Sequence, residues 1–225
     1  MRQSDVMVYL MTGFLDSGKT QFLTFTLEQD YFQIQGKTLL ILCEEGEEEY
    51  DPKEMLKYGV VIEKVEDKED LTEAWLEEMN RKHKPERVVV EYNGMWPVSD
   101  FEKLALPAGW KIEQKIATVD ASTFQMYLTN LKPLFVEMVK GAELVLFNRC
   151  EDKKPLAGYR RSVKVVSPQA EVIFEDENGE VDNIFEDEVP YDLKAPVIEI
   201  PREDYGIWSV SYTHLRAHET LRHLV

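Results

Sequence analysis

Eight residues near the start of the chain carry a pattern from which proteins build a phosphate-binding loop. Residues 13–20 read GFLDSGKT, which is glycine, four residues, and then Gly-Lys-Thr. Glycines let the backbone turn so that several N–H groups point at one anion, and a following helix adds its positive end. Lys19 can reach the outer phosphates, and the Thr20 hydroxyl can ligate Mg²⁺. The predicted phosphate-binding residues are Gly13, Asp16, Ser17, Gly18, Lys19 and Thr20.

Chemistry on a phosphoryl group also needs carboxylates that arrange the Mg²⁺ shell or the attacking water, and two strand ends supply them. Glu91 ends the apolar run RVVVE, and Glu44 or Glu45 follows TLLILC at the start of the acidic run 44–51, with Glu44 the first choice. Parallel sheets bind ligands at the carboxyl ends of their strands, so both acids are expected near the loop. We therefore predict catalytic roles for Lys19, Glu44 and Glu91, and Mg²⁺ contacts from Thr20, Glu44 and Glu91. Most carboxylates of the acidic run are expected to be solvated.

A later strand end carries a candidate group for reading a base. Asn148, Arg149 and Glu151 follow the run ELVLF and lie close to the order Asn-Lys-x-Asp, a guanine-reading motif. The planar guanidinium of Arg149 can stack over a ring as a lysine stem does. Glu151 takes the acid position with one extra methylene, and Asp152 could substitute by a small shift. The match favours guanine and leaves open a P-loop ATPase or kinase that uses the same phosphate site.

Short apolar runs alternate with longer amphipathic ones over the first three quarters of the chain. Strands are predicted at residues 6–12, 37–43, 60–65, 87–92, 112–119, 143–148 and 170–174. Helices are predicted at 19–28, 70–83 and 123–140, the last with a kink at Pro133. Continuously apolar strands separated by helices predict an α/β fold of the P-loop NTPase type. Its sheet is expected to be mostly parallel and covered by helices on both faces.

Composition narrows the class of protein and its partners. The chain has 225 residues, 44% of them hydrophobic, and a net charge of −17. Such a surface repels a phosphate backbone, so nucleic acid is not expected as a partner. Cys43 and Cys150 lie far apart in sequence, which is typical of a reducing compartment. No run reaches the roughly 20 apolar residues of a membrane span, and no signal peptide is evident, so a cytoplasmic protein is expected.

Changes in texture divide the chain into three parts. Residues 1–175 are expected to form the nucleotide-binding domain, and 176–208 an acidic linker or the start of a truncated second domain. The histidine-rich segment 209–225 allows two interpretations. Its histidines at i, i+4 could bind a metal, but the run SYTHLRAHET resembles translated sequencing-adapter sequence. We favour a foreign tail, and expect the natural protein to continue beyond Trp208.

The ordered motifs resemble the CobW/HypB/UreG family of P-loop GTPases, and its CobW branch most. GFLDSGKT is similar to the family's Gly-Phe-Leu-Gly-(Ala/Ser)-Gly-Lys-Thr, and CEEGEEEYD to its Asn-Glu-Phe-Gly-Glu-Val-Gly-Ile-Asp. EYNGMWP resembles the Glu-x-x-Gly element, and ATVDASTF carries the Val-Asp-Ala of a later strand. The guanine motif and then SPQA, similar to Asn-Pro-x-Ala, complete the order. The resemblance covers roughly residues 6–174.

The resemblance implies a Mg²⁺-dependent GTP-binding protein, slow as a GTPase without a partner, that serves as a metallochaperone or a metalloprotein-assembly switch. GTP, Mg²⁺ and an unidentified client protein are the implied ligands and partner. In this assignment Lys19 binds the β and γ phosphates and Thr20 ligates Mg²⁺. Glu44 and Glu91 arrange the metal shell or water, and the guanine-binding residues are Asn148, Arg149 and Glu151. A non-hydrolysing, nucleotide-gated protein that docks a basic partner is the remaining alternative.

Two departures from the family pattern bear on this expectation. Where the CobW branch carries Gly-Cys-x-Cys-Cys, this chain reads YGVVIEKVED, which keeps Gly59 and has no cysteine. A thiolate zinc site is therefore not supported. Asp16 replaces a glycine inside the phosphate loop and adds negative charge near the outer phosphate. It could lower the affinity for nucleotide or position a water molecule, and the sequence leaves both open.

Overall fold

The structure is a computed structural model that describes residues 5–44, 46, 49–152 and 155–181. The tail at 209–225 and the acidic segment beyond residue 181 lie outside these ranges. Within them, every helix is too short or too polar to cross a membrane.

The described residues form one sheet of eight strands, in the order β3-β2-β4-β1-β5-β6-β7-β8. The strands are β1 (Val6–Thr12), β2 (Thr38–Leu42), β3 (Val60–Lys64), β4 (Arg87–Glu91), β5 (Trp110–Asp120), β6 (Leu144–Asn148), β7 (Glu171–Asp176) and β8 (Gly179–Glu180). All neighbours pair in parallel except β7 and β8, which form an antiparallel hairpin. β1 lies inside the sheet, between β4 and β5.

Helices cover both faces of this sheet. They are α1 (Lys19–Leu27), α2 (Pro52–Lys57), α3 (Glu73–His83), α4 (Val98–Glu102), α5 (Phe124–Asn130), α6 (Lys132–Val139) and α7 (Leu156–Val166). Successive residues of β1 point to opposite faces, as a strand requires. Tyr9 and Met11 pack with α1 and α2, whereas Val8 and Leu10 pack with α3 and α4. A third cluster joins α5, α6 and α7 to the alternate residues of β5, β6 and β7.

The predicted α/β fold with a mostly parallel, two-sided sheet is confirmed. The predicted helix over 123–140 is wrong, because the chain forms two helices that meet at Leu131. Pro133 stands in the first turn of α6, where its missing N–H costs nothing, so it starts a helix instead of kinking one. The sheet continues past residue 175 into β8, and Val181 packs in the core. The domain boundary near 175 stays a prediction.

Parallel pairing brings the carboxyl ends of seven strands to one edge of the sheet. Glu91 at the end of β4 lies in register with Met11 of β1 and with Leu42 of β2. On the other side of β1, Asp120 of β5 is level with Asn148 of β6. The strand order places the acidic ends of β2 and β4 on one side of the loop after β1, and the ends of β5 and β6 on the other.

Replacing Phe147 by alanine tests the aromatic core behind β6. Phe147 is fully buried, and its ring lies 5.1 Å from that of Phe124 and 4.9 Å from that of Phe174. We expect Phe147→Ala to lower the free energy of unfolding by about 3–5 kcal/mol, because it leaves a cavity in a close-packed cluster. Urea denaturation measures the change. The control Val165→Ala, at a side chain that is 84% exposed, should stay within about 0.5 kcal/mol of the parent.

Candidate functional site

The loop between β1 and α1 adopts a shape that its glycines permit. Gly18 has φ 85°, in the left-handed region, and a Cβ added there would lie 2.4 Å from Asn148 Nδ2. Gly13 has φ 152°, and its Cβ would meet Ser17 Oγ at 2.4 Å. A side chain at either position would be strained and would collide with neighbours. The two glycines therefore shape the loop and let Asn148 approach it.

The end of β4 packs against this loop backbone to backbone. A Cβ added at Gly94 would lie 2.2 Å from the Gly13 carbonyl oxygen and 2.7 Å from Phe14 Cα. Neither atom can move away without moving the loop itself. Gly94, which the resemblance singled out, therefore sets the distance between the loop and the segment after Glu91.

The ammonium of Lys19 lies at the centre of the loop. Lys19 is only 4% exposed, and its Nζ donates to the carbonyl oxygens of Gly13 at 2.8 Å and Phe14 at 3.0 Å. Its third contact is an ion pair with Glu44 Oε2 at 2.5 Å. A buried cation needs such acceptors because it has lost its hydration. The loop, β2 and α1 thus meet at one charged group.

Glu91 connects the start of α1 to the segment that precedes α2. Its carboxylate accepts hydrogen bonds from Thr20 Oγ1 at 2.8 Å and from the Tyr50 hydroxyl at 2.5 Å. Burial raises the pKa of Glu91 above its ordinary value, and the hydrogen bonds from Tyr50 and Thr20 and the charge of Lys19 offset only part of this. The hydroxyls of Thr20 and Tyr50 and the carboxylate of Glu91 thus form a group of oxygen atoms of the kind that ligate hard cations, beside Lys19.

On the other side of the loop, Asn148 and Arg149 hold the loop backbone. Asn148 Nδ2 donates to the Ser17 carbonyl at 2.8 Å, while its buried Oδ1 has no partner among the described residues. Arg149 has φ 54° and donates from Nη1 to the Asp16 carbonyl at 3.0 Å. Asp16 itself has φ 58°, a conformation that is uncommon without glycine. Both ends of this contact are backbone positions of unusual geometry.

Asp120 at the end of β5 orients Arg149. Its Oδ2 accepts from Arg149 Nη1 at 2.5 Å, and its Oδ1 accepts from the backbone N–H and hydroxyl of Ser122. Burial would raise the pKa of Asp120, but the hydrogen bonds from Ser122 and Arg149 outweigh it and the pKa lies below its ordinary value. Asp120 is therefore held as a carboxylate, and its charge fixes the guanidinium.

Most of the predicted site residues line one cavity of about 90 Å³. Its lining is Leu15, Asp16, Gly18, Lys19, Thr20, Glu44, Gly46, Glu91 and Arg149. Gly13 and Asn148 contact the residues around this cavity: the Gly13 carbonyl accepts from Lys19, and Asn148 donates to the Ser17 carbonyl of the loop. Glu151 follows Arg149 by two residues, is exposed, and is not among the described residues that line this cavity.

Tyr50 and Asp120 were not among the predicted site residues. Tyr50 stands at the end of an acidic run, and its pairing with Glu91 joins residues 41 positions apart. Asp120 lies inside a family motif, and its position at a strand end was the available signal. Both act through a partner that is remote in sequence, which a pattern along the chain does not reveal.

A buried strand, a glycine loop closed around Lys19, and a helix that begins at this lysine define the class: a P-loop nucleotide-binding domain. The family model described as CobW/HypB/UreG, nucleotide-binding domain, matches residues 7–174. The chain belongs to this family, as its motifs predicted. No curated protein matches it.

Solved structures with the same fold include a HypB protein and the YjiA GTPase. The hydrogenase maturation factor HypB from Archaeoglobus fulgidus superposes with a TM-score of 0.54 at 18% identity, over 76% of this chain and 81% of that one. The Zn(II)-bound YjiA GTPase from E. coli superposes with a TM-score of 0.57 at 22% identity, over 80% of this chain. The match spans 60% of the YjiA chain. At these identities the similarity establishes the fold.

The close approach at Gly94 is testable with a matched pair of glycine substitutions. Gly94→Ala should lower the free energy of unfolding by about 1–3 kcal/mol, because its Cβ collides with loop backbone. Gly46→Ala is the control, because the nearest described atoms, on Leu15 and Asp16, lie 3.9 Å from its Cβ. It should change stability by about 0.5 kcal/mol or less. Equal losses in urea denaturation would contradict the packing of Gly94 on the loop.

Proposed function

We propose that the chain is a Mg²⁺-dependent GTPase whose nucleotide state controls the assembly of a metalloprotein or the delivery of its metal. The observation that carries the proposal is the meeting of the Lys19 loop, the Thr20–Glu91 pair and Asn148 at one sheet edge. These elements correspond to the three tasks of such an enzyme: binding phosphates, arranging a cation and reading a base.

The loop and α1 would bind the outer phosphates. Lys19 Nζ supplies a positive charge that lies within the loop, and the first N–H groups of α1 have no acceptor inside the helix. Charge that develops on the transferred phosphoryl group would be stabilised by these fixed donors, which need no reorganisation during the reaction. The phosphate-binding role extends to Gly13, Asp16, Ser17 and Gly18 through the loop backbone.

The oxygen donors beside Lys19 fit Mg²⁺. Mg²⁺ prefers oxygen ligands and keeps several waters, so few protein ligands are needed. The described residues contain no cluster of three or more His, Cys, Asp or Glu side chains suited to a metal. Thr20 would hold the ion through its hydroxyl, with Glu44 and Glu91 arranging water around it. When bound, Mg²⁺ would neutralise charge on the outer phosphates.

Three residues at the end of β6 and just after it, Asn148, Arg149 and Glu151, support a preference for guanine. The unpartnered Oδ1 of Asn148 is buried next to the loop, where a base could supply a donor. Arg149 presents a planar guanidinium held by Asp120 and by the Asp16 carbonyl. Glu151 is exposed and would accept hydrogen bonds from guanine N1–H and its amino group. Adenine lacks that pair of donors, which is the basis of the expected selectivity.

We assign the binding of the metal cargo to a client protein and not to cysteines of this domain. Cys43 and Cys150 are buried near the ends of different strands. Burial raises the pKa of both thiols, that of Cys150 to about 12, which disfavours the thiolate that metals bind. The proposal therefore includes no thiolate zinc site in this domain. The proposed nucleotide switch acts in the cytoplasm on an unidentified partner.

Substituting Lys19 by alanine tests the phosphate site. We expect Lys19→Ala to weaken GTP binding by about 100-fold or more, because a phosphate would lose its charged partner in a buried setting. Calorimetric titration with GTP and ATP, with and without Mg²⁺, measures binding, and phosphate release measures turnover. Lys103→Ala, at a surface lysine paired with Asp100, should bind like the parent.

The same titration separates the candidate activities. Preference for GTP with slow, Mg²⁺-dependent phosphate release supports the proposed GTPase. Preference for ATP would replace it by an ATPase or kinase. Binding without turnover, also in the presence of basic partner proteins, would favour the nucleotide-gated interaction protein. Unchanged GTP affinity of Lys19→Ala would contradict the phosphate site altogether.

A pair of adjacent carboxylates tests the guanine assignment. Glu151→Gln should reduce the preference for GTP over ATP by about tenfold, because a charged acceptor is lost. Asp152→Asn removes the neighbouring charge and should leave the preference unchanged. Competition of GTP and ATP for a fluorescent nucleotide gives the ratio. If Asp152→Asn alone lowers it, Asp152 reads the base, and if neither does, this segment does not select guanine.

A further inference from the structure

The ammonium of Lys19 has no hydrogen left over for a phosphate. A lysine ammonium offers three donors. In this structure they serve the Gly13 carbonyl at 2.8 Å, the Phe14 carbonyl at 3.0 Å and the Glu44 carboxylate at 2.5 Å. A phosphate oxygen can therefore reach Lys19 only by replacing one of these acceptors.

The two carbonyls are held in place by the fold. The Phe14 carbonyl also accepts from the Ser17 N–H at 3.1 Å, which closes the turn of the loop. The Gly13 carbonyl oxygen packs directly against the backbone of Gly94, which leaves no room for a Cβ there. Moving either carbonyl would require the loop and the segment after β4 to shift together. Neither carbonyl is therefore the acceptor that a phosphate would displace.

Glu44 differs from the carbonyls in both mobility and charge. It is a side chain with rotatable bonds, at the first residues after β2. Its carboxylate and a phosphate are both anions, and two anions on one buried ammonium repel each other in a site of low dielectric. Its side chain is 9% exposed, so water screens this repulsion poorly. Glu44 is the acceptor that must leave.

A displaced Glu44 has space and a positive charge within reach. It also lines a cavity of about 270 Å³ at the ends of β2 and β3 and another of about 140 Å³ beside Tyr50. Lys64, the last residue of β3, lies on the wall of both cavities. The carboxylate can therefore turn away from Lys19 into space that it already borders.

We propose that Glu44 is an internal competitor of phosphate: it occupies Lys19 as a carboxylate, and nucleotide binding must displace it. This inference rests on the proposed nucleotide site and adds its regulation. The affinity for nucleotide is set below that of the bare loop, because each binding event breaks a buried ion pair. Displacement also releases Glu44 to arrange water at Mg²⁺. Because Glu44 lies between β2 and α2, occupancy of the phosphate site is coupled to the position of the Glu44 side chain in that connection.

The test compares Glu44→Gln with the parent chain in buffer that contains EDTA, so that no Mg²⁺ role of Glu44 contributes. Glutamine keeps the shape but accepts from Lys19 without the charge, and charge-assisted hydrogen bonds are about twice as strong as neutral ones. GDP and pyrophosphate should therefore bind about five- to tenfold more tightly to the variant in calorimetric titration. Guanosine, which carries no phosphate, should bind equally to both.

Glu66→Gln is the matched control, because Glu66 lines the same 270 Å³ cavity as Glu44, is exposed, and loses the same charge away from the phosphate loop. If it increases the affinity as much as Glu44→Gln, the effect is one of overall charge and the proposal is overturned. Unchanged or weaker GDP binding by Glu44→Gln also overturns it. Glu44→Ala is the second variant: if Glu44→Gln does not fold, Glu44→Ala should bind GDP more tightly than the parent chain, and unchanged or weaker binding overturns the proposal.

The failure of this inference is distinguishable from that of the proposed function. If the parent chain binds GDP and Glu44→Gln does not improve it, the nucleotide site stands and the competition is wrong. If neither GDP nor pyrophosphate binds to the parent or to either Glu44 variant, the proposed function fails and the inference fails with it.

Discussion

The buried ammonium of Lys19 is the constraint on which the arrangement of the site depends. A charge removed from water must be matched by acceptors of good geometry, or the fold loses several kcal/mol. Two acceptors are carbonyls of the loop itself, at Gly13 and Phe14, so the loop has to close around its own lysine. The third is Glu44, which ties β2 to the same point. The glycines then follow from sterics, because only they allow backbone to pack this closely.

The parallel sheet turns this local requirement into a site with distinct sides. Because β1 lies between β4 and β5, the loop that follows it is flanked by acids on one side and by Asn148 and Arg149 on the other. The acidic side holds Glu91 between Thr20 and Tyr50. The opposite side grips the loop backbone through Ser17 and Asp16. Phosphate, cation and base would thus be handled by separate strand ends that share a single loop.

Charge balance distinguishes this member of the CobW/HypB/UreG family. Three carboxylates, of Asp16, Glu44 and Glu91, line the cavity together with two cationic side chains, Lys19 and Arg149. Such a cavity favours cations and opposes phosphates until Mg²⁺ or the displacement of a carboxylate changes the balance. Where the CobW branch carries cysteines downstream of its second strand, this chain has the run YGVVIEKVED, which keeps the glycine and has no cysteine.

The sequence by itself determined the seven parallel strands, the phosphate loop and the acid at the end of β4. These are local properties: apolar runs, glycine spacing and a carboxylate that follows valines. Helix α7 and the break at Leu131 escaped prediction, because LAGYRRSVKVV has weak helical propensity and Pro133 is acceptable in a first turn. The tertiary structure alone decided that Glu44 pairs with Lys19, Tyr50 with Glu91 and Asp120 with Arg149. Each pairing joins segments that are remote in sequence, and only the parallel strand order brings these segments to one edge of the sheet, within the short range of a hydrogen bond.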